Sequence, residues 1–190
     1  MLKKTIIALA ALAAALTVLW AYYGGFASPA PITRAAAGPF HVAYIRHVGP
    51  YKKTGDVIQK VKKEIEAAGI TDYRAGGIFY DMPKVAGADR CRSDAIVVLK
   101  PEQIEKLKGH AVLKTKTLER REYLTTVFPF RGMMSVLAGL MKVYPMYDSY
   151  FKENKLAPYV YREKDFEDEY GIEIYGPEKI FYYMTYKKGD

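Results

Sequence analysis

Gly171-Ile172-Glu173-Ile174-Tyr175 is a short apolar run with one carboxylate in its middle. In an extended chain, side chains alternate between faces, so Ile172 and Ile174 share one face while Glu173 and Tyr175 share the other. The aliphatic pair marks a core-facing side. On the other side, Glu173 faces either plain solvent or the wall of a groove, and the surrounding elements decide between them.

Those elements run twice through the same order. In the first pass, a strand over 40–48 closes at Gly49-Pro50, and a helix follows with Thr54 as its expected cap. Val57, Ile58, Val61, Ile65 and Ala68 fall on one face of that helix and Gly69 stops it. Strands over 75–80 and 95–99 come next, ending at Asp81-Met82-Pro83 and Lys100-Pro101. After a helical turn within 101–108, the second pass has a strand over 121–127 closed by Pro129-Phe130. A helix from about Gly132 then carries Met133, Val136, Leu137, Leu140 and Met141 at helical spacing. Pro145 is expected to kink or split it, leaving a second piece through Tyr147, Tyr150 and Phe151. Strands over 171–175 and 180–186 complete the pass.

Aligning the two passes puts Gly76 on Gly171, Ile78 on Glu173 and Tyr80 on Tyr175. The expected fold is therefore α+β: a duplicated strand-helix-strand-strand unit forming an antiparallel sheet with helices on one face and a ligand groove on the other. Glu173 would be the polar anchor of that groove, with Tyr175, Tyr80 and Tyr51 as its aromatic walls. Seventeen tyrosines against one tryptophan suit such walls, since tyrosine offers a flat apolar face with a polar tip.

Ahead of the domain, Thr5 to Tyr23 carries no charge and the run stays apolar to Phe26, long enough as a helix to cross a bilayer. Lys3 and Lys4 precede it and Arg34 alone is charged in the 15 residues that follow, which predicts a cytoplasmic N-terminus and a domain on the opposite side. Trp20, Tyr22 and Tyr23 sit where an interfacial aromatic belt would. A cleaved secretory signal, cut near Gly25-Phe26-Ala27, is the rival reading. The organisation expected is an anchor at 1–26, a proline-bearing extended linker at 27–39 and a domain at 40–188.

The whole chain carries 29 basic and 21 acidic side chains. Residues 40–116 hold 15 basic and 9 acidic groups against 11 and 12 in 117–190, so the first half could sit against anionic headgroups. No recognition motif accompanies this excess, and nucleic-acid binding is not expected. Cys91 is the single cysteine, so no intrachain disulfide can form. His41, His47 and His110 lack a ligand spacing, and neither a metal nor a cofactor is expected. The acidic stretch holding Glu163, Asp165, Glu167, Asp168 and Glu169 reads as a solvated loop whose spacing matches no calcium-binding loop.

Val42-Ala43-Tyr44-Ile45-Arg46-His47-Val48-Gly49-Pro50-Tyr51, Phe79-Tyr80-Asp81-Met82-Pro83 and Ile172-Glu173-Ile174-Tyr175 resemble the GyrI-like small-molecule-binding domain, the effector-binding family of multidrug-responsive regulators. Asp89-Arg90-Cys91-Arg92, Phe128-Pro129-Phe130, Tyr144-Pro145 and Tyr150-Phe151-Lys152-Glu153-Asn154-Lys155-Leu156 resemble its membrane-anchored, testis-expressed type, which serves in autophagy of the endoplasmic reticulum. That receptor role depends on a long disordered tail and is not carried over. The resemblance implies that a carboxylate at Glu173 contacts cationic or polar ligands, and that in hydrolase-like members it activates water beside a tyrosine. The leading expectation is a membrane-tethered module binding a small molecule, possible lipophilic cations included. The alternatives are a hydrolase with Glu173 as general base and an adaptor holding a protein partner at the membrane.

Overall fold

The computed structural model describes residues 2–157 and 169–188. The chain opens with α1 (Leu2–Tyr23), none of whose residues is buried. It continues through β1 (Thr33–Ala37), β2 (Phe40–Val48), α2 (Thr54–Ala67), β3 (Arg74–Phe79), the one-turn α3 (Pro83–Ala86), β4 (Arg92–Leu99), the short α4 (Pro101–Glu105), β5 (Lys114–Leu118) and β6 (Arg121–Pro129). The long α5 (Met133–Glu153) leads to β7 (Leu156–Ala157), β8 (Gly171–Tyr175), β9 (Lys179–Met184) and β10 (Lys187–Lys188).

Eight strands form one antiparallel sheet in the order β1-β6-β9-β8-β3-β4-β2-β5. The duplication is visible in that order: β2-α2-β3-β4 and β6-α5-β8-β9 are the two units, and their middle strands, β3 and β8, pair at the centre. β2 and β6 are each nine residues long. Matching them end to end and following the ladders from β2 through β4 to β3, and from β6 through β9 to β8, carries Gly77 onto Glu173. Those two residues are also direct register partners, so the pseudo-twofold axis passes between them. The expected match of Ile78 with Glu173 is one residue out of register. Ile78 pairs with Ile172 on one face, whereas Glu173 and Gly77 lie on the other.

Helices α2 and α5 cover one face of the sheet. α2 buries Ile58, Val61 and Ile65 against Ala43, Ala95 and Val97. Thr54 begins this helix without capping it; its hydroxyl meets Ser93 Oγ at 3.1 Å. α5 is one helix with Pro145 inside it, not two pieces, and buries Ala138, Val143, Tyr147 and Phe151 against Leu124, Phe128, Ile180 and Tyr182. Of the apolar residues noted at helical spacing, Met133, Leu137, Leu140 and Met141 are exposed.

The other face is concave and filled. The sheet curls until Phe40 of β2 meets Tyr183 of β9, four strands away, with ring centroids 5.1 Å apart. Val42, Ile78, Ile96, Tyr123 and Ile174 are fully buried there. Side chains thus occupy the place where a groove away from the helices was expected. Two edge strands were not anticipated. Thr33–Ala37, within the stretch read as a linker, pairs with β6, and Lys114–Leu118 pairs with β2.

Candidate functional site

The central strand β8 is buried on both faces, with Gly171, Ile172, Glu173 and Ile174 all buried. Alternation sends Ile172 and Ile174 into the concave core and Glu173 towards α5. The Glu173 side chain is 3% exposed. Its Oε1 accepts a hydrogen bond from the Tyr144 hydroxyl of α5 at 2.5 Å, and its Oε2 accepts one from the Tyr175 hydroxyl at 2.9 Å. Burial raises the proton affinity of this carboxyl, and the two tyrosine donors offset part of the rise. Among the described residues no cation pairs with it.

The surroundings are aromatic on one side and sparse on the other. Tyr182 of β9 is the register partner of Glu173, and its ring meets that of Tyr144 edge-on with centroids 6.3 Å apart. Tyr175 packs against Phe130, 5.8 Å between centroids. In β3 the partner is Gly77, and the Phe79 ring folds over it so closely that a β-carbon there would lie 2.7 Å from the ring. Two buried hydroxyls on the row through Glu173, those of Tyr182 and Thr126, have no hydrogen-bond partner among the described residues. The row thus holds a buried carboxylate and two unused hydroxyls beneath one helix.

Of the four residues singled out from the sequence, Glu173 and Tyr175 are in direct contact. Tyr51 lies on the same side, its ring edge-on to Phe79 at 4.9 Å. Its hydroxyl is occupied: it donates to Asp81 O at 2.8 Å, with Arg92 O at 3.1 Å, and accepts from the Asp81 N–H at 2.9 Å. Asp81, fully buried, holds this corner through paired contacts with the Arg92 guanidinium at 2.8 and 3.0 Å.

Tyr80 is on the opposite face, one residue beyond Phe79. Its hydroxyl donates to Asp94 Oδ2 at 2.6 Å, Lys116 Nζ reaches both groups at 2.6 Å, and Arg46 also pairs with Asp94. That cluster sets one carboxylate against two cations and lies on the face opposite Glu173. Sequence reasoning missed Tyr144, Tyr182, Gly77 and Phe79. Tyr144 was within reach, since it continues the helical spacing through Met141, but the side on which it would meet a strand was not encoded in that spacing. The acidic run from Glu163 to Asp168 lies outside the described residues.

Residues 37–178 match the GyrI-like small molecule binding domain. The chain belongs to that family. Human Testis-expressed protein 264 is 27% identical over 136 residues, a stretch that takes in 67% of this chain and 42% of the human protein. This chain thus spans less than half the length of that relative. Among solved structures, the C-terminal domain of EcmrR superposes with a TM-score of 0.58 at 10% identity, covering 84% of this chain and 98% of that one. SAV2435, solved bound to tetraphenylphosphonium, superposes with a TM-score of 0.51 at 13% identity over 83% and 94% of the two chains. At these identities the likeness shows the GyrI-like fold.

Proposed function

We propose that this chain is a membrane-tethered module that binds a lipophilic cation or polar aromatic compound against Glu173, with residues 1–26 as its anchor. The observation that carries the reading is a carboxylate buried at the seam of the two half-domains, held by two tyrosine hydroxyls and lacking a cationic partner among the described residues. A desolvated carboxylate without a counter-charge is a strong site for a large, weakly hydrated cation, and aromatic walls add cation–π attraction. The tetraphenylphosphonium held by SAV2435, a protein of the same fold, is a compound of this class.

Tyr175 and Tyr51 serve as walls in this reading, joined by Tyr144, Tyr182 and Phe79. Tyr80 is assigned to the neighbouring charged cluster instead. Glu173 is buried beneath α5, so a ligand reaches it by displacing side chains packed over it. The tether rests on α1, which is long and apolar enough to cross a bilayer and has none of its residues buried. Lys3 and Lys4 orient it with the N-terminus cytoplasmic.

The test is thermal unfolding with tetraphenylphosphonium, on the natural chain and on Glu173→Gln. A concentration-dependent rise in Tm that the substitution abolishes is expected. Equal shifts in both proteins would overturn the reading.

A further inference from the structure

The outward side of α5 changes character along its length. From Met133 to Met141 its exposed side chains are Met133 (78%), Met134 (50%), Leu137 (48%), Leu140 (46%) and Met141 (55%), all apolar. Beyond Pro145 the exposed positions are Asp148, Ser149, Lys152 and Glu153. The first group shares one helical face, opposite the buried Ser135, Ala138, Gly139 and Val143. Scattered exposed leucines need no explanation, but a continuous stripe of five large apolar side chains marks a surface that is covered in use.

The end of α1 identifies the cover. Gly24 abuts this half of α5 so closely that a β-carbon on it would lie 3.2 Å from Ala138 Cβ. Arg131 Nη1 donates to Tyr22 O at 3.3 Å and Tyr23 O at 3.4 Å, and Lys142 Nζ donates to Phe26 O and Ser28 O, both at 2.6 Å. Trp20 packs against the core beneath α5. The stripe is therefore held level with the C-terminal end of α1, where Trp20, Tyr22 and Tyr23 gather. Arg131 and Lys142, which hold the end of α1 and the segment after it, place two positive charges at this same end of the domain, as suits a headgroup layer.

We infer that the Met133–Met141 face of α5 is seated in the bilayer leaflet in which α1 ends, so that the domain lies on the membrane and does not hang from a free tether. This rests on the reading of α1 as a membrane anchor. It also gives the binding site an address. Tyr144, one turn past Leu140 on the same helix, holds Glu173, so a lipophilic compound partitioned into the leaflet meets the helix that covers the carboxylate.

The test uses the full chain in nanodiscs of phosphatidylcholine and phosphatidylglycerol, with an environment-sensitive fluorophore placed singly through Leu12→Cys, Leu137→Cys or Ser149→Cys. Cys91 is buried and stays in place, its labelling measured in the unsubstituted chain. Nitroxides on the lipid acyl chains should quench the labels at 12 and 137 at least about threefold more than the label at 149. Quenching at 12 with none at 137 overturns this inference and leaves the anchor standing. No quenching at 12 overturns the anchor and the inference together. Shielding of 137 that grows with protein density, with cross-links between copies through that cysteine, assigns the stripe to a second copy of the chain and also overturns the inference.

Discussion

Tyr144 reaches from α5 to donate its hydroxyl to Glu173 at 2.5 Å, joining the covering helix to the central strand through one buried hydrogen bond. Removing that donor leaves the carboxylate with Tyr175 alone and pushes its proton affinity further up. Tyr144→Phe should weaken tetraphenylphosphonium binding at neutral pH by about tenfold, a loss of roughly 1.4 kcal/mol. Titration calorimetry checks it, and unchanged affinity would mean that Tyr144 does not shape the site.

Glu173 also sets two opposite pH dependences. Its native proton affinity lies above that of an unfolded carboxyl, so the folded chain keeps this proton over a window where the unfolded chain has lost it. The group's contribution to stability is complete below the ordinary carboxylate range and is lost as pH rises through the raised native value. Within that window stability should fall by at most about 1.4 kcal/mol per pH unit. Glu173→Gln should lack this component in denaturant titrations across pH. Cation binding should run the other way and tighten as pH rises, because the proton competes for the same oxygens.

The two glycines of β3 should respond differently to a methyl group. At Gly76 a β-carbon would lie 2.2 Å from the Glu173 carbonyl oxygen, which is backbone in a central strand and cannot yield. At Gly77 the obstacle is the edge of the Phe79 ring, which can turn. Gly76→Ala should cost about 3 kcal/mol or more and Gly77→Ala about 1–2 kcal/mol. The ranking is read from the midpoints of urea unfolding.

Asp81 ties the turn after β3 to β4. It accepts from both the backbone and the guanidinium of Arg92 while fully buried, so Asp81→Ala removes these three bonds and frees the turn that positions Tyr51. A loss of about 2–4 kcal/mol in unfolding free energy is expected.

The anchor reading predicts membrane topology. Protease added to intact cells making the full chain should digest the domain and spare α1. Complete protection of the domain would reverse the orientation drawn from Lys3 and Lys4.

Much of this architecture could be read from hydrophobic spacing, because both units announce their strands with apolar runs and their ends with proline or glycine. The side that Glu173 faces could not. Alternation separates Glu173 and Tyr175 from Ile172 and Ile174, but with both faces of β8 buried it does not say which face carries helices. The same limit misplaced Tyr80, whose neighbours Asp94 and Lys116 come together only through the register of β3, β4 and β5. Edge strands β1 and β5 left little trace, since Thr33–Ala37 and Lys114–Leu118 are mostly exposed and gain their conformation from the strands beside them. In α5, the stripe from Met133 to Met141 identified a helix but not the side it buries. Small residues, Ser135, Ala138 and Gly139, pack inward there, and spacing rules weight large apolar side chains instead.

A duplicated domain would ordinarily hold two copies of any site built on its repeat. Here the pseudo-twofold axis runs between Gly77 and Glu173, so the two equivalent positions fall on one spot. Carboxylates at both would face each other a few ångströms apart in a desolvated seam, where one of the two would have to stay protonated. With glycine on one side, the seam holds a single carboxylate, and the binding proposed above predicts one cation per chain.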